Sequence, residues 1–164
     1  MLLRHPSLDL NNHQDNFFYL ACGRGEEDML RLILTDPTLK VRIETNFKDA
    51  HGDSPSHRAC LKGHINVIKL LHEFNVFRAL ERNKDGMQPF HVACAEGQSN
   101  VVRFMLKEFY NLYQMCIQDD TSQEILFKGL EIACKVKDGT DVVVALTDYL
   151  LIKIRHIDIT TIKL

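Results

Sequence analysis

Gly52-Asp53-Ser54-Pro55-Ser56-His57-Arg58-Ala59-Cys60-Leu61-Lys62-Gly63 is followed in the same register by Gly86-Met87-Gln88-Pro89-Phe90-His91-Val92-Ala93-Cys94-Ala95-Glu96-Gly97. The Gly, Pro, His, Ala, Cys and final Gly coincide. Beyond them, Asn66-Val67 recurs as Asn100-Val101 and Ile68-Lys69 as Val102-Arg103. Self-similarity at a fixed period, here the step from Gly52 to Gly86, marks a repeat architecture in which one small unit is stacked on the next. The dipeptide Ala-Cys traces the units outward, at Ala21-Cys22, Ala59-Cys60, Ala93-Cys94 and Ala133-Cys134, with the middle interval the shortest of the three. The first copy keeps Gly25 and an apolar stretch through Met29, Leu30, Leu32, Ile33 and Leu34. The last delays its glycine to Gly139 and then echoes Asn100-Val101-Val102 as Asp141-Val142-Val143. Drift at the ends is expected of a stack, whose outer faces meet water instead of a neighbour.

Elementary chemistry reads each unit the same way. Asp49-Ala50-His51-Gly52 and Asn83-Lys84-Asp85-Gly86 are turn sequences in which glycine supplies a positive φ. Pro55 and Pro89 follow where a first helical residue has a preset φ and no amide hydrogen to waste. The predicted short helices cover about residues 55–62 and 89–96, closed by Gly63 and Gly97. A second helix follows in each unit, with Ile65, Val67, Ile68, Leu70, Leu71 and Phe74 in one and Val101, Phe104, Met105 and Leu106 in the next. Spacings of three and four gather these side chains on one stripe. Helices this short are marginal alone, so neighbouring units must cover the stripe.

Composition sets the surroundings. Of 164 residues, 45% are apolar and 26% charged, with a formal net charge of −2. That balance argues against a strong grip on nucleic acid. No apolar run approaches the roughly 18 residues of a membrane span, and the start, Met-Leu-Leu-Arg-His-Pro, is too polar for a secretory leader. The five cysteines form no Cys-x-x-Cys pair, which argues against a disulfide framework or zinc ribbon. A reduced, soluble, cytoplasmic domain is expected.

The two central units resemble the ankyrin-repeat family, whose pattern runs from a turn glycine through Thr-Pro-Leu-His-x-Ala to a helix-ending glycine and a Val/Ile-rich second helix. The resemblance covers roughly residues 16–154. It implies an all-α solenoid of stacked helix-turn-helix pairs with short β-turn or hairpin connections. About four repeats are expected in a single domain, 1–164: 16–48, 49–82, 83–115 and a C-terminal cap at 123–154, then a tail at 155–164. Ser54 supplies the hydroxyl that the family has in Thr, whereas Gln88 does not. Ser56 stands where the family buries Leu, and Arg58 at another apolar place, which suggests a looser second repeat, or a partner or extra segment packed there. The first repeat carries Phe17 and Tyr19 in place of Pro and His.

Cysteine and histidine invite chemical readings. His57 comes three positions before Cys60, as His91 does before Cys94, so each pair shares a helical face and has the form of a nucleophile and its base. Against this, two duplicated active sites in one small solenoid are improbable. The other Ala-Cys copies carry Tyr19 and Leu130 in the histidine place. The expectation is therefore a histidine that ties the turn and a cysteine that packs as a small hydrophobe, with no enzyme activity and no cofactor. His5, His13, His51, His64, His72 and His156 are scattered without ligand spacing, so no metal is expected. The family often carries His after the helix-ending glycine, as His64 does here. Cys116 sits in a connector at 113–122, read as a loop before a helix starting near Ser122, with Asp119 or Asp120 at its cap. The apolar run at 142–154 is expected to pack inward. The alternating tail 156–164 reads as a strand or a docking segment.

Carrying the family's register over places the variable surface positions at Arg24 in repeat one and at Ala50, His51, Asp53, Leu61 and Lys62 in repeat two. Their counterparts in repeat three are Lys84, Asp85, Met87, Ala95 and Glu96. The resemblance implies that turn tips and first helices form one concave surface. Its mixed charge fits a protein partner better than a polyanion. The expected function is a non-catalytic, monomeric protein-interaction module that binds neither nucleic acid, membrane nor metal. The alternatives are the targeting part of an effector or viral regulator acting in a host cytosol, and a Cys/His-dependent enzyme.

Overall fold

The computed structural model describes residues 9–11, 16–108, 121–136 and 139–161, with the backbone alone at 121–124 and 152–161. Among them are nine helices and no strand: α1 (Phe17–Arg24), α2 (Glu27–Thr35), α3 (Pro37–Arg42), α4 (Pro55–Leu61), α5 (Ile65–Glu73), α6 (Pro89–Ala95), α7 (Ser99–Glu108), α8 (Thr121–Lys135) and α9 (Thr140–Thr161). The chain divides into two units, Met1–Val92 and Ala93–Leu164, with the boundary inside α6.

In the first unit α1 and α4, the first helices of two repeats, pack on each other, and α2 packs on α5; each first helix also packs on its own second helix. The seam is built from small side chains. Ala21, Cys22, Ala59 and Cys60 are fully or almost fully buried, which lets α1 and α4 approach closely. The apolar stripe of α2 buries Leu30, Ile33 and Leu34, and that of α5 buries Val67, Ile68, Leu70 and Leu71. The turns between paired helices rest on Gly25 (φ 76°) and Gly63 (φ 74°), both left-handed. In the second of these turns, the His64 N–H donates to Ala59 O at 3.0 Å, satisfying a carbonyl that the helix end leaves open.

Side chains bond the backbone at the N-termini of α1, α3, α4 and α6, whereas α2 and α5 have no side-chain cap. Asn16 Oδ1 accepts from the Tyr19 N–H at 2.9 Å, and Asp36 Oδ1 from the Thr38 N–H at 2.9 Å. At α4 and α6 the third helical residue reaches back: His57 Nδ1 accepts from the Ser54 N–H at 3.2 Å, and His91 Nδ1 from the Gln88 N–H at 3.1 Å. Gln88 therefore occupies the family's Thr position without disturbing the reciprocal bond.

The helix α3 is not foreseen by the repeat. It fills the segment that makes the first Ala-Cys interval longer than the second, and Asp36-Pro37 starts it as a cap and first-turn proline do. The looser second repeat is also absent. Ser56 is buried, and its Oγ accepts from the Arg78 N–H at 3.0 Å, so the polar side chain in the leucine place satisfies a loop amide. Arg58 lays its stem across α1 at Gly23, where an added Cβ would come within 2.9 Å of Arg58 Cγ.

In the second unit α9 packs on both α7 and α8. Val142, Ala145 and Leu146 of α9 are buried, as are Val101, Val102, Met105 and Leu106 of α7 and Ile125 and Ala133 of α8. The helix α8 ends one residue after its Ala-Cys dipeptide, as α4 and α6 do. The late glycine has a steric role, because a Cβ on Gly139 would collide with the carbonyl oxygen of Ala133. Cys134 departs from the other copies by being exposed. The strand reading of 156–164 is corrected through Thr161, where α9 continues. Extending a formed helix adds a hydrogen bond per residue without a new nucleus, which outweighs the β-leaning Ile and Thr. Cys116 and the connector at 113–120 lie outside the described residues, as do His5, His13 and 162–164.

Candidate functional site

Two turn tips stand side by side in the first unit. In the first, the Asp49 N–H donates to Asp53 O at 3.1 Å and the Gly52 N–H to Asp49 O at 2.9 Å; in the second, the Asn83 N–H donates to Met87 O at 2.9 Å and the Gly86 N–H to Asn83 O at 3.0 Å. The opening side chain of each loop then gathers its amides. Asp49 Oδ1 accepts from the His51 and Asp53 N–H groups, both at 2.9 Å. Asn83 Oδ1 accepts from the Asp85 and Met87 N–H groups at 3.1 and 2.9 Å. This is the Asx-turn chemistry for which Asp and Asn are favoured.

The tips are also tied to each other. The Lys84 N–H donates to His51 O at 3.0 Å, Lys84 Nζ to Ala50 O at 2.8 Å, and Asn83 Nδ2 to Asp53 Oδ1 at 2.8 Å. A Cβ on Gly52 would meet the Lys84 amide nitrogen at 3.0 Å, so the glycine permits this approach as well as its φ of 78°. From below, each first helix props the next tip. His57 Nε2 donates to Met87 O at 3.0 Å. In the first repeat Tyr19 does the same work, its hydroxyl donating to Asp49 Oδ2 at 2.7 Å. The apparent loss of the repeat-one histidine is thus a change of donor.

The titration of these groups follows from their setting. Burial works against the Asp49 carboxylate, but the donors on it, Tyr19 O–H first, prevail and hold it below its ordinary range. Burial and the Asp49 charge push the Tyr19 phenol upward. Burial lowers the His57 imidazole below its usual value, only partly offset by its bond to Met87. The neutral form is therefore the folded form, with Ser54 N–H donating to Nδ1 and the ring proton on Nε2. An unfolded histidine takes up a proton below about pH 6.5. His57 thus contributes stability that is full above that pH and is lost as pH falls from there toward its depressed folded value. The expected result is a urea midpoint that drops between pH 7 and pH 5, with a shallower drop in His57→Gln. Equal slopes in the two proteins refute this.

The same bonds bear on the first of the two Cys-His pairs. Both ring nitrogens of His57 are engaged by Ser54 and Met87, leaving neither to activate Cys60. The buried Cys94 thiol is pushed up to about 12, and burial also raises Cys22. A thiol so shifted has almost no thiolate at neutral pH. A thiol alkylator is expected to label exposed Cys134 within minutes and to spare Cys22, Cys60 and Cys94 until denaturant is added, read by peptide mass. Rapid labelling of Cys60 or Cys94 in the folded protein refutes the packing role. Among the described residues no cluster of His, Cys, Asp or Glu is placed to hold a metal ion.

The structure brings Ala50, His51, Asp53, Lys84, Asp85 and Met87 together at the paired tips. Ala50, His51, Lys84 and Asp85 are exposed, whereas Asp53 and Met87 are half-buried and bonded into the framework. Arg24 and Lys62 are exposed at the ends of the packed helices α1 and α4, at matching repeat positions, and Leu61 beside Lys62 is half-buried. Ala95, half-buried, and Glu96, exposed, belong to the second unit. Sequence reasoning missed Arg58, whose guanidinium lies 5.6 Å over the Tyr19 ring; its place one helical turn before Lys62 was the available signal. No helix among the described residues is long and apolar enough to cross a membrane.

A family model of ankyrin repeats, in three copies, matches residues 18–119. Among curated proteins, inversin of Mus musculus is 37% identical over 73 residues, covering 43% of this chain and 7% of that protein. Inversin of Gallus gallus is 34% identical over 77 residues, covering 46% and 7%, and inversin of Homo sapiens 35% over 71 residues, covering 42% and 6%. The matched segment is thus a small fraction of these much longer relatives.

Proposed function

The chain belongs to the ankyrin-repeat family, and from that premise we propose that it is a non-catalytic module that holds a partner protein on its turn tips and first helices. Ankyrin repeats are generally protein-interaction modules. The observation that carries the reading here is the double set of bonds ordering the two tips: Asp49 and Asn83 within each loop, and Lys84 and Asn83 between them. Exposed Ala50, His51, Lys84 and Asp85 project from a backbone already fixed, so little conformational entropy is lost when a partner docks. Arg24, Leu61 and Lys62 extend the contact along α1 and α4, and Ala95 and Glu96 hold the matching positions in the next repeat. Asp53 and Met87 serve by shaping the tips.

Among the described residues the four cysteines are free and three of them are buried, which suits a reducing compartment such as the cytoplasm, and we assign the module there as a monomer. The test is affinity capture with the full chain, compared with a triple variant, His51→Ala, Lys62→Glu and Asp85→Lys. A captured polypeptide that is lost with the variant, at an unchanged melting temperature, supports the reading. Undiminished capture overturns it.

A further inference from the structure

We propose that Arg24, Arg58 and Lys62 form a basic cradle for an acidic, extended polypeptide segment with carboxylates three residues apart. The inference deepens the protein-binding reading and rests on it. Arg24 ends α1 and Lys62 follows the last residue of α4, at equivalent places in successive repeats, and both are exposed. Arg58 lies one turn before Lys62 on the same face of α4. Its stem crosses α1 at Gly23, next to Arg24, and its guanidinium rests over the Tyr19 ring. A guanidinium that lies over an aromatic ring still carries N–H donors for a two-pronged bond to a carboxylate. Among the described residues none of the three cations forms an ion pair. In contrast, Arg31 meets Glu27 and Glu73, and Lys48 meets Glu81.

Two carboxylates, Asp49 and Asp53, also face Tyr19. Each is held by donors of the chain itself, Asp49 by Tyr19, His51 and Asp53, and Asp53 by Asn83. They leave the cations unpaired, and with exposed Asp85 they repel a uniformly charged polyanion. A nucleic acid or an anionic bilayer therefore fits this patch less well than a peptide whose carboxylates are spaced. The spacing follows from the scaffold. Packed helices lie about 8–10 Å apart, and a segment extended as polyproline II advances about 3.1 Å per residue with three residues per turn, so residues three apart share one face. Side chains three residues apart therefore match cations on α1 and α4.

The test is binding of a fluorescent Ser/Gly peptide carrying Glu-x-x-Glu to the full chain, against the same peptide with Gln for Glu, a single-stranded oligonucleotide and phosphatidylserine vesicles. Binding of the Glu peptide is expected to exceed that of the Gln peptide and to weaken with salt. It should fall at least tenfold in the double variant Arg24→Gln, Lys62→Gln, whose melting temperature is unchanged because both side chains are exposed. Equal binding of the two peptides, equal affinity of the variant, or tighter binding to oligonucleotide or vesicles overturns the proposal. A captured partner that is lost with His51→Ala, Asp85→Lys but indifferent to Arg24→Gln, Lys62→Gln overturns the cradle alone and leaves the protein-binding reading standing.

Discussion

Valine in place of Gly25 is expected to cost the first unit about 3 kcal/mol and to lower the melting temperature by roughly 6–12 °C, at about 2–4 °C per kcal/mol for a chain of this size. Two effects add. Gly25 has φ 76° at the end of α1, a region that costs a residue with a side chain about 1–2 kcal/mol, and more for a β-branched one. The new Cβ would also lie 2.9 Å from His64 Nδ1. That ring cannot simply retreat, because its Nε2 donates to Gly23 O at 3.1 Å, and breaking such a bond costs about 1 kcal/mol. The two contributions separate in a double-mutant cycle with His64→Ala. The steric part disappears in that background and the backbone part stays. A urea midpoint for Gly25→Val within error of the parent contradicts the whole account.

His57→Ala is expected to lose about 3–5 kcal/mol, from a cavity left by a fully buried ring and from a stranded backbone amide. The buried Ser54 N–H loses its acceptor, and Met87 O loses one of its two donors, keeping the Asn83 N–H. The damage should be local in kind. Hydrogen exchange is expected to accelerate first at the amides of the Asn83–Met87 tip and the start of α4, ahead of α1 and α2. A loss below about 1 kcal/mol, which is what a single ordinary hydrogen bond contributes, or uniform acceleration across the unit, contradicts the bridging role given to this histidine.

Much of this fold was legible in the sequence, and the reasons are local. Pro55 and Pro89 can start a helix, while Gly63 and Gly97 can end one, by their own stereochemistry. The boundaries found for α4 and α6 lie within a residue of those expected from these marks. The helix α3 was legible too, through Asp36-Pro37, but a search tuned to the repeat passes over what the repeat lacks. Ser56 and Arg58 were misread because their partners, the Arg78 amide and the Tyr19 ring, lie in other repeats or beyond the next helix, far along the chain. Periodicity ranks a residue by type and place, so a polar side chain in an apolar place reads as a defect until its distant partner is known. Asp53 shows the converse. Variation between repeats marked it as a recognition residue, whereas its carboxylate joins one tip to the next through Asn83.

The closed seam between first helices has a consequence for chemical ageing. Cys22 and Cys60 are fully buried, and interiors packed to crystal density have no room for added oxygen atoms. While the repeats stay stacked, peroxide does not reach them. Each transient opening exposes them, and a sulfur carried to the sulfinic stage does not revert spontaneously. The oxidised chain cannot re-close around the larger, charged group, so oxidative damage would accumulate as a one-way ratchet whose pace is set by how often the stack breathes.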